Sequence, residues 1–299
     1  MAKRSNQKLA KDANEFIQQQ LHTHLEALEE NFASDVLSFN GALTVGVDNL
    51  IRNTIEEKRQ KSNRDALTML LTTGGGYIEV VHRIVDTLRY HYKVVNFVVP
   101  DYAYSAGTIL VMSGDSIHMN YYSRLGPIDP QVETAKGQVV PGLGYLIQWE
   151  RLIGKAKAGE LTFEELQLMI EGFDQAELYK YEQERELSIA LLEEWLVKYK
   201  FKNWKITETR KIPVTDKMRK KRASKIAKEL NNTERWHIHG YGISMDILRN
   251  DLKLLIDDFG QNPKRRDTIR NYHGLLEDYM QKRSQTGIIH TVGDYLPFV

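Results

Sequence analysis

The chain has 299 residues, with 41 Lys plus Arg against 40 Asp plus Glu, for a net charge of +1. That length can bury a full hydrophobic core, and the near-neutral balance excludes a whole-molecule field that would draw the chain to nucleic acid or to an acidic partner. The absence of cysteine excludes disulfides, a thiolate nucleophile and zinc-thiolate sites, and fits a reducing, cytoplasmic setting.

The opening MAKRSNQKLAKDANEFIQQQ is basic but lacks the apolar stretch of a signal peptide, so export is not expected. Residues 8–33 are rich in Gln, Leu, Glu and Ala without Pro or Gly, which predicts a surface or oligomerising helix. DVLSFNGALTV then reads as a strand with a Gly break, and VDNLIRNTIEEKRQ as a helix. The apolar run Ala66 to Thr73 stops at Gly74-Gly75-Gly76, and YIEVVHRIVDTLRYHY follows with Ile78, Val81, Ile84, Val85 and Leu88 along one helical face. KVVNFVVP predicts the next strand, a helix opens near Ser105, and SIHMNYY predicts another strand. Strand-helix alternation at this spacing implies crossover units and a largely parallel sheet with buried strands.

The longest apolar region, 94–112, is broken by Asp101 and by Tyr104-Ser105 and falls short of the about 20 apolar residues of a membrane span, so a soluble chain is expected. Beyond residue 145 the sequence turns charged and Leu-rich, which predicts long helices. A basic helix, a His- and aromatic-rich loop NNTERWHIHGYGIS, and a helical pattern over MDILRNDLKLLIDDF complete the reading.

Two bends carry the chemistry. Glycine between strand and helix permits positive φ and exposes an N–H that can face an anion. No GxxxxGK[ST] or GxGxxG pattern accompanies the triple glycine, so an oxyanion hole or a plain turn remains rather than a phosphate cradle. Ser105 opens a second strand-to-helix junction, and such junctions gather at the carboxyl edge of a parallel sheet, where ligands bind. Its hydroxyl reads either as a helix N-cap or as a nucleophile beside the Ala106 N–H. His82, His91 and His118 read as packing residues, and His237 and His239 lack a third ligand at metal spacing, so no metal is expected. The cluster Lys217, Arg219, Lys220, Lys221, Arg222, Lys225 and Lys228 is flanked by Asp216 and Glu229, and reads as a solvated helix face rather than a nucleic-acid surface.

LTTGGGYIEVVHRIVDTLR and AYSAGTILVMSGDSIHMNYYSRLGPIDPQ resemble the Clp-protease/crotonase fold, specifically the serine dehydrogenase proteinase family, which is related to Clp peptidases and signal peptide peptidases. The resemblance is densest from Ala66 to Val132. It implies Ser105 as nucleophile and Gly75, Gly76 and Ala106 as the oxyanion hole. Where Clp peptidases carry a histidine after an NSR-like segment, this chain reads YSRLGPIDP and offers Asp129. The resemblance therefore points to His239 in RWHIHGYGIS as base, with Asp129 orienting it, although Asp129 also reads as a turn residue before Pro130. Signal peptide peptidases use a Ser-Lys dyad, which makes Lys155 or Lys157 the alternative base if either is enclosed by apolar groups.

The expectation is an α/β fold of Clp-protease/crotonase type with a parallel-sheet core, crossover helices and added C-terminal helices. Its parts would be an N-terminal helical segment (1–35), a core (36–260) with a helical insertion (145–230) and a C-terminal extension (261–299). The expected activity is that of a cofactor-independent serine peptidase acting on peptide or protein substrates as a homo-oligomer, with no membrane span and no nucleic-acid partner. The alternatives are a catalytically inactive Clp-fold binding or assembly protein, and an acyl-CoA hydratase- or hydrolase-like enzyme that would use the glycine amides without a serine nucleophile.

Overall fold

A computed structural model describes residues 10–128, 131–133, 139–172, 174–238 and 240–298. In chain order the first elements are α1 (Ala13–Phe32), β1 (Asp35–Asn40), α2 (Val47–Lys61), β2 (Ala66–Thr72), α3 (Ile78–His91), β3 (Val94–Val98), β4 (Tyr102–Ala103), α4 (Ala106–Met112), β5 (Ser116–Met119) and β6 (Arg124–Leu125). Then come β7 (Gln131–Glu133), β8 (Val139–Pro141), α5 (Gly142–Ala158), α6 (Phe163–Gly172), α7 (Gln175–Trp195), a π-helical turn (Leu196–Lys200) and α8 (Asp216–Leu230). The chain ends through α9 (Thr233–Trp236), β9 (Ile243–Ser244), α10 (Met245–Asn250), β10 (Asp257–Asp258), α11 (Pro263–Lys282), β11 (Gly287–Thr291) and β12 (Asp294–Phe298).

The main sheet runs β10-β5-β3-β2-β1-β11-β12. Its first five strands pair in parallel and the last two antiparallel, with Phe39 opposite Leu71 and Met69 opposite Phe97. The fold is thus the mixed α/β, parallel-rich architecture expected. Every residue of β2 from Leu67 to Thr72 is buried, because helices cover both faces, and this is why the strand reads as an unbroken apolar run rather than an alternation. Leu37, Phe39, Met69, Leu71 and Phe97 join one core with α2, α3, α4, α7 and α8. Val36, Leu70 and Val98 point the other way, into a second core with α1 and α11.

Leu21, Leu25 and Leu28 are fully buried, so α1 is a core layer packed with Ile269, Tyr272 and Leu276 of α11 rather than a free surface helix. The segment 261–299 supplies α11 and two strands of the main sheet. The helical pattern expected over MDILRNDLKLLIDDF stops at Asn250. Leu252, Leu254 and Ile256 are buried while Lys253, Leu255 and Asp257 are exposed, an alternation that leads an extended chain into β10.

A second, small sheet matters more to the site. β4 pairs in parallel with β6 (Ala103 opposite Leu125), and β6 antiparallel with β9 (Leu125 opposite Ile243).

Candidate active site

β2 delivers the triple-glycine bend and β4 delivers Ser105, and Thr73 ties the two together. Its N–H donates to Tyr102 O at 3.1 Å, and the Tyr104 N–H donates to Thr73 O at 2.9 Å, forming an isolated parallel bridge between Thr73 and Ala103. On its other flank the glycine bend is held by Leu43, whose N–H donates to Gly75 O at 2.9 Å and whose carbonyl accepts from Tyr77 N–H at 3.0 Å.

Gly75 sits at φ +109°, and a Cβ added there would lie 2.8 Å from Ser105 Cβ, 2.9 Å from Tyr104 O and 3.4 Å from Ser105 Oγ. Only glycine allows the two bends this close. Ser105 has φ 53° and ψ −123°, and Gly107 N–H donates to Tyr104 O at 2.8 Å across it. That is the first central position of a type II′ turn, a place glycine normally holds, and a serine there stores about 1–3 kcal/mol of strain. The half-buried Ser105 side chain makes no capping bond to α4, so the N-cap alternative lacks its defining contact.

The amides divide in a way the sequence does not reveal. Gly75 N–H donates to Thr73 Oγ1 at 3.1 Å, whereas the N–H groups of Gly76 and Ala106 meet no acceptor among the described residues. Gly76 is exposed, and Ala106 is only 4% exposed at the start of α4. An amide left without an acceptor at such a bend can bind an oxygen that gains negative charge.

Thr108 fixes the far wall. Its Oγ1 lies 2.8 Å from Ala103 O and 2.9 Å from Gly126 O, and it accepts from Gly126 N–H at 3.0 Å. This pins α4 to β4 and to Gly126, the residue after β6. Arg124 Nη1 donates to the carbonyls of Tyr121, Tyr122 and Ser123 at 2.8, 2.9 and 2.9 Å, closing the preceding turn. Tyr102 and Tyr104 stack at 5.1 Å on the approach to Ser105, and burial, followed by nearby carboxylates, pushes both phenols up. Burial likewise raises Asp101 above the usual carboxylate value.

Asp129 and His239 lie outside the described residues. The strands beside them do not: β4 ends two residues before Ser105, β6 ends four before position 129, and β9 begins four after position 239, all in one small sheet. His237 is exposed with φ 63°. Lys155 on α5 is ion-paired with Glu165 of α6, and Lys157 is exposed, so neither has the apolar enclosure that a neutral lysine requires. Thr73 and Thr108 are the site residues that sequence reasoning misses; their signals are a hydroxyl ending an apolar strand just before glycine and a threonine inside a fully apolar short helix. Among the described residues no group of three His, Asp or Glu side chains is set to hold a metal ion, and no helix is long and apolar enough to cross a membrane.

Residues 49–140 match the family model described as ClpP-like SDH-type serine proteinase, a segment that holds both bends. Two uncharacterized proteins of Methanocaldococcus jannaschii are 33% and 29% identical over 66 residues, in each case 22% of this chain and 23% of the relative. The chain thus matches less than a quarter of the length of these curated relatives. Among solved structures, the 1510-N membrane-bound stomatin-specific protease, in a mutant form bound to a substrate peptide, is 14% identical with a TM-score of 0.46, covering 88% of this chain and 85% of that one. ClpP1 from Listeria monocytogenes is 12% identical with a TM-score of 0.42, covering 80% and 94%.

Proposed function

Starting from a central segment that matches the ClpP-like SDH-type serine proteinases, we propose that this protein is a serine peptidase that cleaves peptide or protein substrates without a cofactor. The observation that carries the reading is the contact between Gly75 and a strained Ser105 that caps nothing, with the amides of the next residues, Gly76 and Ala106, meeting no acceptor among the described residues. Ser105 Oγ attacks the scissile carbonyl carbon, and the carbonyl π electrons move to oxygen, where the two amides receive them. A base takes the Ser105 proton and passes it to the departing amine; water then attacks the acyl-enzyme through the same base and frees the acid product.

In this reading the base is His239 and Asp129 orients it. Support comes from the β4-β6-β9 sheet, which gathers the strand leading to Ser105 and the strands adjoining both positions. The ion-paired Lys155 and the exposed Lys157 argue for the imidazole over a lysine. Gly75 acts sterically, and the oxyanion donors are Gly76 and Ala106. The absence of cysteine supports a cytoplasmic location.

A fluorophosphonate probe tests the assignment: the wild-type chain becomes labelled and Ser105→Ala does not. Unlabelled wild type that is folded by circular dichroism would overturn it in favour of a binding protein or acyl-CoA chemistry. His239→Ala slows labelling by about 10²-fold or more, while Lys155→Ala and Lys157→Ala label at the wild-type rate; the reverse pattern assigns the dyad instead.

A further inference from the structure

The net charge of +1 conceals two opposed blocks. Residues 160–194 hold eleven Asp or Glu and two Lys or Arg, and residues 202–228 hold eleven Lys or Arg and two Asp or Glu. The acidic block is α6 and α7. The basic block is α8 and the hairpin before it, closed by an Ile206–Pro213 bridge and by Thr207 N–H donating to Ile212 O at 2.9 Å.

Inside one chain these blocks do not neutralise each other. Leu191, Leu192 and Trp195 of α7 share a core with Ala223, Ile226 and Leu230 of α8, so the two helices turn apolar faces inward. Among the described residues no ion pair joins α7 to α8: Lys180–Glu184, Arg185–Glu182, Lys198–Glu194 and Arg219–Asp216 are local in sequence, and Lys202 and Glu165 pair outside the two blocks, with Asp115 and Lys155. Lys217, Lys220, Lys221, Lys225 and Lys228 are exposed on the outer face of α8, and Glu182 and Glu186 are exposed on the outer face of α7. Each block also shows large apolar side chains to solvent: Phe163 and Ile170 (76% and 73% exposed) on the acidic side, Ile206 and Ile212 (59% and 43%) on the basic side.

We propose that the α6–α7 surface of one protomer docks against α8 and its hairpin on a second copy of this chain. A lipid bilayer or a nucleic acid could take up only the basic block, and would leave the acidic block and its exposed Phe163 and Ile170 uncovered. A second copy offers an equal and opposite charge to both surfaces at once, together with apolar residues to bury at each. Because the two surfaces differ, every protomer presents one of each, so the contact either pairs two protomers reciprocally or runs head to tail from one copy to the next. The inference does not depend on the peptidase reading.

Sedimentation velocity on the full chain tests it. The wild type associates at about 0.05 M salt, and its association weakens at least tenfold as salt rises toward 1 M and the screening length falls to about 3 Å. A basic-side reversal (Lys220→Glu, Lys221→Glu, Lys225→Glu) and an acidic-side reversal (Glu182→Lys, Glu186→Lys) each sediment as monomers, and an equimolar mixture of the two associates again. Recovery on mixing separates a lost contact from a lost fold. A wild type that is monomeric, or whose assembly ignores salt, overturns the proposal, as do folded reversals that assemble like wild type or fail to assemble when mixed. Monomeric wild type that pellets with phosphatidylserine vesicles, or binds a polynucleotide, would transfer the basic block to that partner.

Discussion

Ser105 combines a conformation suited to glycine with a hydroxyl that makes no capping bond, so its identity works against local stability. Replacement separates the two properties. Ser105→Ala removes the hydroxyl and keeps a Cβ at φ 53°; Ser105→Gly removes both. Both variants lose fluorophosphonate labelling, and Ser105→Gly is more stable than Ser105→Ala by about 1 kcal/mol in urea denaturation, the relieved strain being partly offset by the extra freedom of glycine in the unfolded chain. A Ser105→Gly variant less stable than Ser105→Ala, as the unfolded-state freedom of glycine alone dictates, would mean that the bend carries no strain. At this scale residue type and junction position bring the serine and the glycines to notice but leave a helix N-cap and a plain turn as alternatives, and it is the family resemblance that proposes roles for them. The sequence hides which glycine amide is already engaged: Thr73 Oγ1 accepts from the Gly75 N–H, whereas that of Gly76 meets no acceptor among the described residues.

Between elements, the site is held by very short pairings. β4, β6 and β9 are two residues each, and Thr108 supplies the polar link from α4 to the first two. Thr108→Val keeps the shape but removes the hydroxyl shared by the Ala103 and Gly126 carbonyls and leaves Gly126 N–H only its longer bond to Ala103 O at 3.3 Å, at a cost of about 1–3 kcal/mol. Urea midpoints fall accordingly, fluorophosphonate labelling slows because the wall beside Ser105 loosens, and Thr108→Ser restores both. A variant that loses stability but labels at full rate would confine Thr108 to a purely structural role. The long elements from β1 to β5 are legible in the sequence because a buried strand or an amphipathic helix repeats its pattern over several residues. Two-residue strands carry no such repeat. The stretch 251–258 misleads for another reason: Leu252, Leu254 and Ile256 alternate, but the intervening Leu255 fills in a helical spacing.

Across the whole molecule the sheet is sealed on its second face by α1 and α11, and that seam contains the buried imidazoles of His290 and His118. His290 is fully buried on β11, with Nδ1 2.8 Å from the Tyr272 hydroxyl and Nε2 3.0 Å from His22 Nδ1, which also accepts from Gly293 N–H at 3.3 Å. His118 on β5 packs edge-on to Phe32 of α1, with Nε2 2.9 Å from Ser116 Oγ. Burial holds His290 down to about 3, helped by the adjacent His22, and holds His118 down to about 4 despite Asp257. Both folded values lie below that of an unfolded imidazole, about 6.5, so acid favours the unfolded chain, which binds the protons first. The stability these neutral rings permit is complete above about pH 6.5 and is lost as pH falls toward 4 and then 3. Asp115, whose carboxyl Lys202, the Val95 N–H and Arg89 hold below the usual range despite burial, adds its own loss only at lower pH. Between pH 7 and 5 the urea unfolding free energy therefore falls by about 2–4 kcal/mol, and α1 is the first element to lose amide-exchange protection because both imidazoles lie along its seam. His290→Gln, which removes one titrating group from that seam, shrinks the drop by about 1–2 kcal/mol; an unchanged pH slope in this variant would show that the seam does not set the acid limit of the fold.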